Sequence, residues 1–471
     1  VTSWRDIAAG AALGVVLGVV AAGFAGSWAI AAIAAGAVGI VGALWIVARP
    51  SRWIFAFLAA ILLLPPIPFP WGDSGVHAGI LIAALGVWGG ILRLRQWRLR
   101  FHLLAVGLVG FTIALLASVP WAAWYSGASV AAGSLARVGL FATGVYLFLD
   151  LGWGPARHIR EARLVRFLFW TGSASACLAV IDFVFQLPAP ARFAEQFVWL
   201  SSGVFRRAQG VFYEASTLGC FCAFLLVMLA AATVTGVRAQ LRIRGIWMAA
   251  AAIFALAALI FSFSRAAAAN VIVSLAALVL LERRRVRMRL PLAASAAAMA
   301  ALMLAGILFP EFASAYLMKL HHSAEYFVAE PNLVLSNRIE SWAALADYIG
   351  EHPWNSVLGI GYKTLPYTTH LGRPVIADNM YLSLLIESGW PGLAALLALS
   401  AAILAVSYRQ ARTAATPVRR FCGTWMFAFW CGEMVQMASG DILTYWRVLP
   451  AFFAVLAIAA RDENPDPGPV L

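Results

Sequence analysis

Arg206 and Arg207 stand just before an apolar run that begins near Val211, and Arg265 interrupts another between residues 245 and 281. A charge in such a place is costly and normally faces a cavity or a partner. Arginine stays protonated, and its planar fork matches phosphate oxygens. Several arginines gathered at the edge of a membrane would suit a lipid-linked diphosphate, and Arg338 could join them. The alternative is that each reaches a lipid headgroup or pairs with Glu195, Glu214 or Asp441. For Arg207 and Arg265 together the functional reading is the better one. A reaction at such a site also needs a base within reach of an acceptor hydroxyl. Asp378, immediately before an apolar run, and His370, eight residues upstream, are the candidates. Helix capping is the other explanation for Asp378. His321 and His322 lack a third metal ligand at a recognisable spacing. Glu433 and Gln436, one turn apart, suit a polar contact between helices. No P-loop, Gly-x-Ser-x-Gly or His-Glu-x-x-His pattern is present, so ATP hydrolysis and zinc-protease chemistry have no support.

The chain that must position these groups has 471 residues, 63% hydrophobic and only 12% charged. A soluble chain carries roughly 25% charged residues, so this composition indicates a polytopic membrane protein. The net charge of +13 could suggest nucleic acid. Yet the only lysines are Lys319 and Lys363, and most arginines lie in short clusters between apolar runs, which argues against it. The five cysteines all lie in apolar segments, with no metal-ligand spacing or disulfide framework.

A membrane helix needs about 20 mostly apolar residues. Fourteen apolar runs fall between residues 7 and 460, giving an expected all-α protein of about 14 transmembrane helices. Among them are runs near 7–24, 53–69, 211–235, 290–309, 379–407 and 443–460. The stretch 245–281 is too long for one span and suits two, joined by a turn at Ser264-Arg265. The first run reads as an uncleaved helix rather than a signal peptide. Basic clusters at Arg49/Arg52, Arg93–Arg100, Arg157–Arg166, Arg238–Arg244, Arg283–Arg289 and Arg409–Arg420 are each separated from the next by two runs. All then face the cytoplasm together with both termini. The expected divisions are 1–185 and 186–309 for N-terminal and central helices, 310–378 for an extracytoplasmic loop, 379–460 for C-terminal helices, and 461–471 for a disordered tail. Within the loop, Asn337 and Glu340 read as a capping box. Trp342, Leu345, Ala346 and Ile349 then share one face of an amphipathic helix over the outer side of the bundle.

In this order the residues resemble the O-antigen ligase and Wzy-type polymerase superfamily of bacterial membrane glycosyltransferases, chiefly over about 200–395. The matching pieces are Arg207-Ala-Gln-Gly210, Phe263-Ser264-Arg265-Ala266 and Arg338-x-x-x-Trp342. His352-Pro353, Gly359-Ile-Gly361, and Asp378-Asn379 followed by Gly389-Trp-Pro-Gly392 complete them. The ligases typically carry His-Asn at the last of these, where this chain has Asp-Asn as exopolysaccharide polymerase-like members often do. The resemblance implies a donor glycan on undecaprenyl pyrophosphate, transferred to another glycan or to lipid A core at the outer face of the inner membrane. It casts Arg207 and Arg265 as stabilisers of the departing diphosphate and Asp378 as base. Arg206, Arg338 and His370 would be substrate-binding helpers, with membrane lipids as surroundings and no metal or cofactor. The competing class is a lipid-linked oligosaccharide flippase, which would favour short loops and charges deep in the bundle. A structural membrane scaffold would leave the outer arginines unexplained.

This topology makes a direct prediction. In a variant stripped of native cysteines, single cysteines at Ser323 and Ala414 should label from opposite sides of the membrane. Labelling of both from one side would exclude the arrangement.

Overall fold

The computed structural model describes residues 27–67, 77–188, 196–200, 203–283 and 338–461, except 369 and 371–373, with a few single residues between 306 and 325. The runs expected near 7–24 and 290–309, the cap residue Asn337 and the tail from 462 lie outside these residues. The helices in chain order are α1 Ser27–Ala48, α2 Pro50–Leu63, α3 Ala78–Ile91, α4 Leu103–Ser126, α5 Ala128–Gly152 and α6 Glu161–Phe185. A two-stranded antiparallel ribbon follows, β1 Phe197–Leu200 and β2 Gly203–Arg206, with Phe197 opposite Arg206. Then come α7 Ala215–Thr235, α8 Gly245–Ser262, α9 Arg265–Leu281, α10 Arg338–Glu351 and α11 Pro353–Leu358. The chain ends in α12 Met380–Glu387, α13 Gly389–Thr413, α14 Pro417–Met437 and α15 Leu449–Ala459.

Six of these helices, α4 to α8 and α13, are long and apolar enough to cross a membrane, and five shorter apolar helices accompany them. This is an all-α membrane protein, but the structure does not support the count of fourteen spans. The reasons are local. The run from 53 is helical only to Leu63, because Pro65 and Pro66 cannot continue it. The run from 379 is broken at Ser388 into α12 and α13, and that from 443 becomes an α-helix only at Leu449. The stretch 245–281 does divide as its length requires, with Phe263 left-handed and Ser264 capping α9.

Helices α7, α14 and α15 form the centre. Every residue of α15 is buried, and Phe224, Trp425, Phe429 and Phe452 join the three through ring contacts of 4.3 to 5.0 Å. One end of the bundle gathers the basic clusters. Arg93 donates to Val47 O at 2.6 Å, Arg157 to Gln96 O at 2.7 Å, and Arg419 pairs with Glu161 at 2.6 Å. Arg461, just after α15, donates to Leu151 O at 2.9 Å. Arg207, just before α7, Arg265, at the head of α9, and Asp378, before α12, lie at the opposite end. At that end Arg447 clamps three carbonyls, of Ile61, Leu64 and Val211.

The segment after Arg338 folds as expected into an amphipathic helix, α10, over its own small core of Leu345, Tyr348, Ile360, Leu365, Val375, Ala377 and Ile386. Tyr348 rather than Ala346 completes the buried face. Past α11 the chain runs as an extended edge along the end of α12, where Ile360 N–H donates to Ile386 O and Gly361 N–H to Glu387 O, at 2.9 and 2.8 Å. Glycine is required there. A Cβ on Gly361, at φ +113°, would stand 2.4 Å from Ala122 Cα, and one on Gly359 would stand 2.4 Å from Glu387 O. Gly361→Ala should therefore cost about 1–3 kcal/mol, read as a lower unfolding temperature in detergent. Gly110→Ala, on a helix face with open space around it, should cost nothing.

Candidate active site

Arg206 and Arg207 are neighbours in extended chain, so their side chains leave on opposite sides. Arg206 turns inward, where its guanidinium pairs with Asp182 at 2.5 Å and donates to Leu187 O. The same carboxylate accepts the backbone N–H of Gly210 at 3.1 Å and Gln209 at 3.4 Å, and Gln186 holds the Arg206 N–H at 2.8 Å. This network fixes the loop, and Arg207 is left to face a cavity. Its Nε donates to Ser262 O at 2.7 Å, while Ala208 N–H donates to Phe261 O at 2.9 Å, pinning the loop to the end of α8.

Ser262 is the last residue of α8, and three residues on Arg265 opens α9. Arg265 and Ala266 line the cavity, so a guanidinium and the positive end of a helix dipole face the same space. Arg338 opens α10. Its Nε and Nη2 each lie 3.1 Å from Asp378 Oδ2, and its Nη1 donates to Ser439 Oγ. Burial first, and then the charges of Arg265 and Arg338, pull the Arg207 guanidinium below its ordinary pKa. An anion placed between these groups would relieve that repulsion.

Asp378 is not a helix cap. Asn379 caps α12, its Oδ1 accepting the N–H groups of Tyr381 at 3.0 Å and Leu382 at 3.2 Å. Asp378 precedes it in a left-handed conformation at φ +44°. Such a position at a cavity wall is costly without a compensating use. Its carboxylate faces the cavity together with the three arginines.

The cavity holds about 800 Å³ and lies between α7, α9, residues 363–367 and 375–378, and the turn after α14. Of the residues singled out in the sequence, Arg207, Arg265, Arg338 and Asp378 line it, and Arg206 and His370 do not. Arg206 is consumed by Asp182. His370 packs its ring 4.8 Å from Tyr125 and 6.1 Å from His352. Five further charged residues of the lining escaped assignment to the site: Arg137, Glu214, Lys363, Glu387 and Asp441. Lys363 had one signal, being one of only two lysines in the chain. Among the described residues no three His, Cys, Asp or Glu side chains gather as metal ligands.

Fold and site together define a multi-pass membrane protein with a highly charged, arginine-bearing cavity at one end. Residues 250–397 match the family model described as O-antigen ligase. No curated protein matches the chain. The matched stretch includes Arg265, Arg338, Lys363, Asp378 and Glu387.

The two adjacent arginines should behave differently. Arg206→Ala strands the buried Asp182 carboxylate and should lower stability by about 3–5 kcal/mol, the usual cost of halving a buried pair. Arg207→Ala should leave the unfolding temperature in detergent within a few degrees of wild type.

Proposed function

We propose that the protein is a glycosyltransferase of the bacterial inner membrane, transferring a glycan from an undecaprenyl-pyrophosphate donor to an acceptor hydroxyl at the outer face. The acceptor is a further glycan or lipid A core, in the manner of a polysaccharide polymerase or an O-antigen ligase. The observation that carries this is the convergence of Arg207, Arg265, Arg338 and Asp378 on one cavity, at the end of the bundle away from the basic clusters. That end is then extracytoplasmic, and both termini are cytoplasmic.

The chemistry needs no nucleotide, because the diphosphate is already a good leaving group. The acceptor oxygen forms a bond to the anomeric carbon as the bond from that carbon to the phosphate oxygen breaks. The bonding pair departs on the diphosphate, where Arg207 and Arg265 with the N-terminus of α9 stabilise the growing charge. The hydroxyl proton passes to Asp378. Arg338, bonded to both Asp378 and Ser439, holds the carboxylate in place. The lipid chain of the donor stays in the bilayer.

The measurement is product formation by the purified protein with lipid-linked glycan from a deletion strain. Arg265→Ala should lower the rate on the order of a hundredfold or more. Arg265→Lys should not restore it, because a point charge cannot reproduce the fork. Asp378→Asn tolerates the left-handed backbone as aspartate does, yet cannot take a proton, so activity should collapse while stability holds. Asp378→His should retain partial activity, with the profile moved to higher pH, imidazole being the weaker acid. A fully active Asp378→Asn would remove the base assignment, and intact lipid crossing vesicles without new glycoside would identify a flippase.

A further inference from the structure

Arg207, Arg265 and Arg338 account for one part of the cavity lining. Another holds an ion pair between Lys363 and Asp441, with Glu387 behind it. Lys363 and Glu387 are 7% and 2% exposed, so neither owes its place to bulk water. Lys363 is also left-handed, at φ +57°. Asp441 Oδ1 accepts the Leu443 N–H at 3.1 Å and leaves Oδ2 to the lysine. Glu387 Oε1 accepts the Leu365 N–H at 3.1 Å, whereas Oε2 has no hydrogen-bond partner among the described residues. Charges kept in so enclosed a place cost desolvation that apolar side chains would avoid. An unsatisfied buried carboxylate oxygen adds to that cost.

The composition of this wall selects its ligand. Asp441, Glu387 and the nearby Glu214 would repel a diphosphate. A sugar ring is neutral, and each of its hydroxyls both donates and accepts, which suits an ammonium and carboxylates set side by side. The wall also adjoins the base, since Arg338 bridges Asp378 to Ser439, two residues before Asp441. We propose that Lys363 and Asp441, backed by Glu387, form the acceptor subsite. They bind hydroxyls of the acceptor sugar next to the one that attacks and turn that one toward Asp378. This rests on the transferase reading above.

The test measures coupling. Full-length protein is incubated with a membrane lipid extract of a deletion strain, which supplies donor and acceptor, and two products are counted: new glycoside and released polyprenyl diphosphate. Wild type should release one diphosphate per glycoside. The double variant Lys363→Gln/Asp441→Asn removes both charges together, leaving neither unpaired. It should form glycoside roughly tenfold more slowly or worse, the effect of losing a charged hydrogen bond, while total diphosphate release falls much less, the excess donor being hydrolysed by water. Glu387→Gln, nearly isosteric, should shift the ratio in the same direction and stands in if the double variant does not fold. A ratio that stays at one, whether both products persist or both fall equally, overturns the acceptor subsite. Unimpaired release by Arg265→Ala in the same assay would instead overturn the transferase reading itself.

Discussion

Like charges must be held together here against their own repulsion. Three guanidinium groups share one part of the cavity lining, and in a partly dehydrated site their repulsion is not screened as it would be in water. Each is fixed by a different anchor: Arg207 by the carbonyl of Ser262, Arg265 by its place at the head of α9, and Arg338 by Asp378 and Ser439. Those anchors depend in turn on where α8 stops, where α9 starts and how the chain re-enters at α12. The packing of the bundle at this end serves to keep cations close that would separate if the helices could move.

The re-entry relies on small residues rather than charge. The Gly359–Gly361 segment lies along the end of α12 by backbone hydrogen bonds, so the outer segment and the membrane helices share a single edge. The same contact carries Lys363 and Leu365 to Glu387. Gly359 and Gly389, distant in sequence, meet at this edge: a Cβ on Gly389 would lie 2.3 Å from Val357 O and 3.0 Å from Gly359 N.

Much of this was legible in the sequence where spacing alone decides the outcome. The 245–281 stretch had to fold back because of its length, which set Arg265 at a tip. The apolar period after Arg338 gave α10. Other features depended on contacts distant in sequence. Nothing in Arg206-Arg207 says which of the two faces inward, because that is decided by Asp182, more than twenty residues away. Asp378 and Asn379 are equally good caps on paper, and only the backbone at φ +44° assigns the role to Asn379. The Lys363–Asp441 pair joins segments 78 residues apart. Helix counting suffered from short apolar helices, which composition cannot distinguish from full spans once proline breaks them or packing buries them.

At about 800 Å³ the cavity falls within the range of roughly 300–1,000 Å³ typical of pockets that enclose a small molecule. For the proposed reaction that volume sets what the protein can read. It can enclose the diphosphate, the sugar joined to it and the sugar that attacks, while the rest of a long glycan lies outside. Such a site inspects the joint being made and is blind to the length of what hangs from either side.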